Sequence, residues 1–225
     1  MASPGPIALL GGTFDPVHYG HLRFADDVRR ALRLSDVRLI PARDPPHRAG
    51  PAATPADRLA MLRLGTAEFP GLVVDDRELR RDGKSYTVLT LEELRREDSL
   101  RPLWLLLGAD AFHGLPAWHR WREIFALAHV VVVARPGVAL TADLPEELAA
   151  EWHRRLTRDP AVLFSTPAGA IFEEGVSPQP IAATEIRAQL ARGDKGRSAV
   201  AGLLPPAVLA YIDQHHLYSI PKDAT

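Results

Sequence analysis

Residues 7–22 have the sequence IALLGGTFDPVHYGHL, in which an apolar run ends at two glycines and a histidine pair follows. Residues 7–10 have the length and composition of a buried strand. Apolar residues then recur at spacings of three or four between Leu22 and Leu32, as they do on one face of a helix. The segment therefore predicts a strand, a glycine-rich turn and a helix.

The same alternation continues along the chain. Helices are predicted at about residues 56–69 and 87–96, and further strands at residues 37–40, 72–74, 103–107 and 130–134. The last two runs are almost wholly apolar, which is typical of strands that helices cover on both faces. The pattern predicts an α/β fold with a doubly wound parallel sheet.

The alternation of predicted strands and helices becomes less regular after residue 135. The pattern there predicts helices at residues 145–156, 185–191 and 207–214 and a short strand near residues 162–165. Thr184 is predicted to cap the second of these helices, and Pro205 and Pro206 to begin the third. We expect one domain over residues 1–225, with a helical portion from about residue 182.

Composition excludes several classes of protein. The net charge of −1, from 27 Lys and Arg against 28 Asp and Glu, leaves no excess charge to hold nucleic acid or an anionic membrane. Cysteine is absent, which excludes disulfides and thiolate metal sites. The apolar runs are shorter than the roughly 18 residues that cross a bilayer, and residues 1–12 do not resemble a signal peptide. We expect a cytoplasmic protein.

The turn at residues 11–21 is predicted to bind phosphate. Gly11 and Gly12 let the backbone approach a ligand closely, and the helix start offers N–H groups to an anion. His18 and His21 lie three residues apart, so both imidazoles can donate to one polyphosphate. Alternatively, they cap a helix, pack against the sheet or bind zinc, for which no third ligand motif is present. The segment matches neither G-x-x-x-x-G-K-[ST] nor G-x-G-x-x-G.

Two later side chains are candidates for contacts with the rest of a nucleotide. Asp110 follows the strand at residues 103–107, at the same sheet edge as His18, and can accept hydrogen bonds from ribose hydroxyls or cap a helix. Trp118 offers a flat face to a positively charged ring, although a position in the core is also consistent with the sequence. Trp121 is predicted to lie in the core.

The segment at residues 11–22 resembles the H-x-G-H signature of the nucleotidyltransferase superfamily that shares a fold with class I tRNA synthetases. The whole chain resembles the bacterial nicotinate-nucleotide adenylyltransferase family. The matching motifs, in order, are residues 11–22, Pro45-Pro46-His47-Arg48, Ser85-Tyr86-Thr87, Gly108-Ala109-Asp110, Trp118, Arg135-Pro136-Gly137, Thr184-Glu185-Ile186-Arg187 and Leu203-Leu204-Pro205.

The resemblance implies a Rossmann-like nucleotidyltransferase fold and a reaction in NAD biosynthesis. The adenylyl group of ATP would pass to nicotinate mononucleotide, giving nicotinate adenine dinucleotide (deamido-NAD) and pyrophosphate. Mg²⁺ would be required and would be bound through phosphates rather than by protein side chains. The expected partners are thus ATP and nicotinate mononucleotide, with the chain a monomer or a homodimer.

The resemblance also implies which residues contact ATP. They are Gly11, Gly12, Thr13, Phe14, His18, His21, Asp110, Thr184 and Arg187. Among them His18, His21 and Arg187 are the predicted catalytic residues, since direct attack of one phosphate on another needs alignment and charge neutralisation rather than an enzyme nucleophile. Thr184 follows Ala183, where the family commonly has a second hydroxyl residue.

On the acceptor side, the resemblance implies that backbone N–H groups at Tyr86 and Thr87 hold the nicotinate carboxylate and that Trp118 stacks on the pyridine ring. Three basic residues are candidates for the acceptor phosphate or the pyridine site, or alternatively solvated loop cations: His47, Arg48 and Arg135. The chain has His119 where the family often has an aromatic residue.

Related functions fit the sequence less well. Phosphopantetheine adenylyltransferases normally carry threonine at the position of His18, and glycerol-phosphate-type cytidylyltransferases have a different late motif. A tRNA synthetase needs a lysine-rich second signature and an RNA-binding domain. A nucleotide sensor without catalytic activity would keep the pocket, and turnover of ATP with nicotinate mononucleotide would distinguish it from an enzyme.

Overall fold

The structure is a computed structural model that describes residues 5–45, 51–134, 140–176 and 179–219. Within these residues seven strands form one sheet in the order β3-β2-β1-β4-β5-β7-β6, and all neighbouring strands are parallel. The strands are β1 (Ile7–Gly12), β2 (Val37–Pro41), β3 (Leu72–Val74), β4 (Leu103–Gly108), β5 (His129–Ala134), β6 (Leu156–Thr157) and β7 (Ile171–Gly175). The predicted doubly wound parallel sheet is confirmed.

Eleven α-helices are described within these ranges, and a short 3₁₀ helix at Leu115–Ala117. They are α1 (Tyr19–Ala31), α2 (Pro55–Thr66), α3 (Arg77–Arg80), α4 (Thr87–Glu97), α5 (Ala109–His113), α6 (Trp121–Leu127), α7 (Glu146–Arg155), α8 (Ala161–Ser165), α9 (Ala183–Leu190), α10 (Asp194–Val200) and α11 (Pro206–Gln214). No helix in the described ranges is long and apolar enough to cross a membrane.

The strand order creates a crevice beside β1. The strands β2 and β3 follow β1 toward one edge of the sheet, whereas β4 pairs with β1 on its other side. In an open parallel sheet, such a reversal leaves a ligand-binding crevice at the carboxyl ends of the two central strands. Gly12 ends β1 and Gly108 ends β4, so both predicted ligand loops lie at this crevice.

Alternating side chains divide the core between the two faces of the sheet. Trp104 and Leu106 of β4 belong to the face covered by α1, α2, α9 and α11. Leu105 and Leu107 belong to the face covered by α4, α5, α6 and α7. Helices on both faces explain why β4 and β5 are almost continuously apolar, as the sequence predicted. That the chain is one domain stays a prediction, which the packing of α9 and α11 beside α1 supports.

Two of the predicted caps can be compared with the helix ends. Pro206 is the first residue of α11, as predicted for the proline pair. The predicted Thr184 cap is wrong, because α9 begins at Ala183 with Ala182 in the N-cap position and no capping side chain. The hydroxyl of Thr184 therefore lies inside the first turn of α9.

The segment between α7 and β7 also differs from the prediction. Residues 162–165 lie in α8 rather than in a strand, because Pro160 precedes the helix and the Asp159 carboxylate accepts the N–H of Ala161 at 2.9 Å. The sequence did not predict β6 or β7. It also did not predict α3, α5, α6 and α10, which with four to seven residues are too short to show a helical period.

A buried histidine joins β5 to the loop before β7. The Nε2 of His129 lies 2.8 Å from the carbonyl oxygen of Thr166, and its Nδ1 accepts the N–H of Ala170 at 3.1 Å. A neutral imidazole with its proton on Nε2 satisfies both bonds. Burial lowers the pKa of His129, since the charged form loses its hydration.

Replacing His129 with leucine should destabilise the fold by about 2–4 kcal/mol, because the Thr166 carbonyl and the Ala170 N–H both lose a buried partner. The wild-type protein should also lose stability as the pH falls below about 6.5, since the unfolded histidine then binds a proton that the folded one resists. This loss should be smaller in the variant. Urea unfolding at pH 7.5 and 5.5 measures both effects.

The control is His153→Leu, at an exposed position of α7. It should change the unfolding free energy by less than about 0.5 kcal/mol. Equal stability of His129→Leu and wild type would contradict a structural role for the two His129 hydrogen bonds.

Candidate active site

A cavity of about 550 Å³ opens at the carboxyl ends of β1 and β4. Its walls come from the ends of these strands, the starts of α4 and α5, and the turn before α6. Predicted site residues that line it are Gly11, Gly12, Thr13, His21, Tyr86, Thr87, Asp110 and Trp118. The sheet thus brings both predicted halves of a nucleotidyl-transfer site into one cavity.

The loop after β1 is shaped by Gly12 and Phe14. Phe14 has a φ of 50°, and its buried ring lies so close to Gly12 that a Cβ at position 12 would be 3.0 Å from the ring. The ring also meets His21 edge-on, with centroids 5.0 Å apart. Phe14 does not line the cavity. It supports the glycine loop and one of the histidines from below.

The two histidines stack on each other, with ring centroids 3.7 Å apart. His18 occupies the N-cap position of α1 and is buried, and its Nδ1 has no hydrogen-bond partner among the described residues. Burial lowers the pKa of His18 to about 4, so this imidazole is neutral at neutral pH. It can donate one hydrogen bond to a phosphate but supplies no full positive charge.

Gly20 allows His18 to take this position. A Cβ at residue 20 would lie 2.9 Å from the Nδ1 of His18 and 3.2 Å from the Cβ of Ile181, in the segment before α9. The neighbouring N–H of Tyr19 donates to the carbonyl oxygen of Leu203 at 3.0 Å. The first turn of α1 is therefore packed tightly between the histidine and the C-terminal helices.

Asp15 is a site residue to which the sequence analysis gave no role. Its buried carboxylate accepts hydrogen bonds from the N–H groups of Ala52 and Ala53 at 2.8 and 3.1 Å, and from the hydroxyl of Tyr218 at 2.8 Å. The available signal was an acidic residue inside a loop predicted to bind anions. Such a carboxylate needs partners of its own, and here those partners come from distant segments.

Arg187 also contacts Asp15. Its Nη1 donates to the backbone oxygen of Asp15 at 2.7 Å and lies 3.9 Å from the carboxylate, while Nη2 lies 3.5 Å from the hydroxyl of Thr184. These bonds hold the guanidinium beside the loop that carries His18, although neither Arg187 nor Thr184 lines the cavity. A guanidinium has five N–H donors, of which these hydrogen bonds use two.

A second arginine, Arg58, supports the loop from its buried side. It is fully buried, and it donates to the backbone oxygens of Thr13 at 2.7 Å and Arg43 at 3.3 Å. Burial lowers the pKa of Arg58, and the negative charge of Asp15 opposes that effect. Arg58 thus ties the glycine loop to the end of β2.

At the other end of the cavity, Tyr86 and Thr87 lie at the start of α4, as predicted. The N–H of Tyr86 already donates to the carbonyl oxygen of Lys84 at 3.0 Å. Thr87 is the first residue of the helix, where backbone N–H groups have no partner within the helix. The Tyr86 ring lies 4.3 Å from the imidazole of His119, which takes the place of the aromatic residue common in the family.

Two further predicted residues complete this wall. Trp118 is half-buried, packs against the core on the α4 face and lines the cavity, whereas Trp121 is buried in that core, as predicted. Asp110 is exposed in the first turn of α5 and does not cap it, because Gly108 occupies the N-cap position. The helix-cap interpretation of Asp110 is therefore wrong, and its carboxylate is available at the cavity.

Three predicted acceptor residues, His47, Arg48 and Arg135, lie outside the described residues. Within the described ranges, no group of three His, Asp or Glu side chains could hold a metal ion.

A glycine loop at the switch point of a parallel sheet, followed by a stacked H-x-G-H pair, defines the class as an α/β nucleotidyltransferase. A family model described as cytidylyltransferase-like matches residues 9–189, and full-length relatives are adenylyltransferases. The chain belongs to this cytidylyltransferase-like group and, within it, to the nicotinate-nucleotide adenylyltransferase family.

The similarity to these relatives extends over nearly the whole chain. A relative from Halorhodospira halophila is 52% identical over 216 residues, which are 96% of each chain. One from Laribacter hongkongensis is 52% identical over 213 residues, 94% of each chain. Both are named "probable nicotinate-nucleotide adenylyltransferase".

Solved structures agree with the fold. The nicotinic acid mononucleotide adenylyltransferase of Plasmodium falciparum, complexed with NaAD, matches with a TM-score of 0.72 at 14% identity. The match covers 96% of this chain and 98% of that one. The same protein complexed with APC matches with a TM-score of 0.69. This likeness supports the architecture of the sheet and the helices around it.

Gly20→Ala should weaken ATP binding about tenfold and destabilise the protein by about 1–2 kcal/mol, because the new Cβ also meets the Cβ of Ile181 at 3.2 Å. Alanine raises the helix propensity at this position of α1, but its Cβ would displace the His18 imidazole and remove one hydrogen bond to a phosphate. Calorimetric titration with Mg–ATP and thermal unfolding measure the two effects separately.

The control here is Gly202→Ala, where no atom lies within 4 Å of the added Cβ. It should bind ATP as the wild type does. Unchanged ATP affinity in Gly20→Ala would show that the position of His18 does not matter for the nucleotide.

Proposed function

We propose that this chain transfers the adenylyl group of ATP to nicotinate mononucleotide, forming nicotinate adenine dinucleotide and pyrophosphate in NAD biosynthesis. The observation that carries the proposal is the single cavity, which has the glycine loop and His21 at one end and Thr87 and Trp118 at the other. The 52% identity to a full-length relative with this name supports the same reaction. ATP would lie along the β1 loop, and the acceptor at the start of α4.

The reaction needs alignment more than it needs an enzyme nucleophile. The phosphate of the mononucleotide attacks the α-phosphorus of ATP, and the bond to the bridging oxygen breaks as pyrophosphate leaves with the electron pair. Two anions must be brought together, and charge on the leaving oxygens must be stabilised. We assign phosphate contacts to His18 and His21, and the β- and γ-phosphates to Arg187.

His18 and Arg187 would contribute differently to this stabilisation. A neutral His18 would donate a hydrogen bond, whereas Arg187 and the helix start at Tyr19 would add positive charge to that of Mg²⁺. The bond from Arg187 to the Asp15 backbone holds the guanidinium near the loop before ATP arrives. We assign Asp110 to the ribose hydroxyls and the backbone of residues 11–14 to the rest of ATP.

The cavity fits a magnesium ion that arrives with the phosphates. Mg²⁺ would be bound through the phosphates of ATP rather than by protein side chains, and the exposed carboxylate of Asp110 adds negative charge on the same cavity wall. The phosphates held by His18, His21 and Arg187 would carry it. When bound, it supplies charge neutralisation at the phosphate oxygens.

The start of α4 suits an acidic acceptor. The Thr87 N–H and the helix dipole both favour a carboxylate. An amide in the same place must turn its carbonyl inward or leave a donor facing a donor, which costs about 1–3 kcal/mol for each unpaired group. Trp118 would stack on the pyridinium ring of either acceptor. We also propose that the enzyme acts in the cytoplasm, as a monomer or a homodimer.

Arg187→Lys should raise the KM for ATP about tenfold or more and change the KM for nicotinate mononucleotide by less than about threefold. Lysine keeps the charge but cannot bond to Asp15 and grip two phosphate oxygens at once. The measurement is pyrophosphate release with each substrate varied in turn.

Arg192→Lys is the matched control, since Arg192 is an exposed arginine just after α9. It should behave as wild type. An equal rise in both KM values for Arg187→Lys would indicate a general loss of structure and would contradict the assignment to ATP.

The proposed function is tested by comparing the acid and amide mononucleotides as acceptors. We expect kcat/KM for the acid to exceed that for the amide by roughly 10- to 100-fold for one mismatched group. Trp118→Ala should lower kcat/KM for both acceptors but keep most of the acid preference, because that preference arises from the backbone.

Each negative result has its own meaning. A wild-type protein that binds ATP but releases no pyrophosphate with the acid mononucleotide would instead be a nucleotide sensor. Equal use of both acceptors would contradict recognition by the start of α4. Undiminished activity of Trp118→Ala would assign Trp118 to the core alone.

A further inference from the structure

Glu78 is a carboxylate at the acceptor end of the cavity that the reaction described above does not use. It lies in α3, is 7% exposed and lines the cavity together with Ser85, Tyr86 and Thr87. A negative charge beside the place for an anionic acceptor opposes binding of that acceptor. The presence of Glu78 therefore needs a reason other than direct contact.

The hydroxyl groups of Thr90 and Ser85 both interact with this carboxylate. Thr90 Oγ1 donates to Oε1 of Glu78 at 2.6 Å, and Ser85 is its second hydroxyl partner. Each hydroxyl oxygen also accepts a bond from elsewhere. Ser85 Oγ accepts the N–H of Arg43 at 2.9 Å, and Thr90 Oγ1 accepts from Nη2 of Arg81 at 3.1 Å. The single proton of the Thr90 hydroxyl is thus directed at Glu78, and the proton of the Ser85 hydroxyl is not used by the bonds that its oxygen accepts.

This network connects the segments that surround the acceptor end. The N–H of Ser85 donates to the carbonyl oxygen of Asp44 at 3.0 Å, which joins the loop after β2 to the loop before α4. Thr90 lies three residues after Thr87 on α4. The carboxylate therefore holds both the loop that leads into α4 and the first turn of the helix.

The negative charge of Glu78 is partly offset from the side away from the cavity. Arg81 lies 4.0 Å from Glu78 and forms an ion pair with Glu93 at 2.7 Å. Burial raises the pKa of Glu78, and the bonds from the two hydroxyls and the charge of Arg81 oppose that rise. The Thr90 hydroxyl and the guanidinium of Arg81 are the neighbours that stabilise the charged form of this carboxylate.

We propose that Glu78 is a positioning residue for the acceptor. Its carboxylate orients the Ser85 and Thr90 hydroxyls and so fixes the Thr87 N–H where it meets the acceptor carboxylate. The inference rests on the proposed function, because it assumes that the acceptor binds at the start of α4. The proposal assigns part of the selectivity for the acid acceptor to Glu78. This residue does not contact the acceptor and acts through the backbone that it positions.

The test is Glu78→Gln, which keeps the shape of the side chain but turns an NH₂ group toward one of the two hydroxyls. The KM for nicotinate mononucleotide should rise about tenfold or more, and the KM for ATP should stay within about twofold. The preference for the acid over the amide mononucleotide should fall. A role in folding alone would not separate the two substrates in this way.

Glu93→Gln is the matched control. Glu93 lies on α4, forms an ion pair with Arg81 at 2.7 Å and does not line the cavity. Both KM values should stay within about twofold of wild type. A folded Glu78→Gln enzyme with both KM values unchanged, or both raised equally, overturns the proposal.

Ser85→Ala tests the network from its other end and keeps the proposal falsifiable if Glu78→Gln does not fold. It should raise the KM for the acceptor while leaving that for ATP in place, and the double variant should show less than the product of the two effects. No separation of the KM values in Ser85→Ala overturns the proposal. A wild-type enzyme that does not use the acid mononucleotide would instead overturn the proposed function.

Discussion

The buried carboxylate of Asp15 is the contact on which the phosphate end of the site depends. It joins the glycine loop to residues 52–53, to Tyr218 near the end of the described chain and, through its own backbone, to Arg187. A buried carboxylate is stable only when its oxygens are hydrogen-bonded and its charge is balanced. Arg58 on one side and Arg187 on the other supply that balance. Two guanidiniums around one carboxylate leave a net positive charge beside the loop that we propose binds phosphate.

The topology of the sheet determines which segments reach this place. Because β1 lies between β2 and β4, the loops after β1 and β4 emerge on either side of one crevice, and α4 begins at its rim. The histidine pair then depends on packing rather than on charge. Phe14 supports His21 from below, and the missing side chain of Gly20 leaves space for His18. The same crowding buries His18 and keeps its imidazole neutral.

The parts of this structure that sequence could predict are those with a local signal. The strands β1, β2, β4 and β5 are apolar because helices cover both faces, and two glycines with H-x-G-H mark the phosphate turn. By contrast, the strand β7 has the sequence IFEEG, whose two glutamates interrupt the apolar run. The helix α8 starts from a proline and an aspartate turn that periodicity does not detect.

The polar networks had no such signal. Tyr218 and Asp15 are 203 residues apart in the sequence. Ser85 connects Glu78 with the backbone of Arg43, which lies in a different loop. Partners this distant follow from the completed fold, not from spacing along the chain. The predicted N-cap role of Thr184 was wrong for a related reason. The helix begins two residues earlier than predicted, which moves the hydroxyl from the cap into the first turn.

In the proposed function, the two ends of the cavity would recognise anions by different means. At the proposed ATP end, Arg187 lies beside the loop before α1 without lining the cavity, and its positive charge would suit phosphates, which carry several charges and differ little in shape. No lysine or arginine is among the described residues that line the cavity at either end, and the predicted basic residues His47, Arg48 and Arg135 lie outside the described residues. A carboxylate, Glu78, lines the acceptor end. A cation would attract any mononucleotide through its phosphate and would add little discrimination between an acid and an amide.

A fixed backbone N–H discriminates because it can only donate, so the ligand must present an acceptor at one position. Selectivity of this kind requires that the backbone cannot turn to suit the wrong ligand. The rigid attachment of the start of α4 to its surroundings is therefore as much a part of acceptor recognition as the N–H group itself.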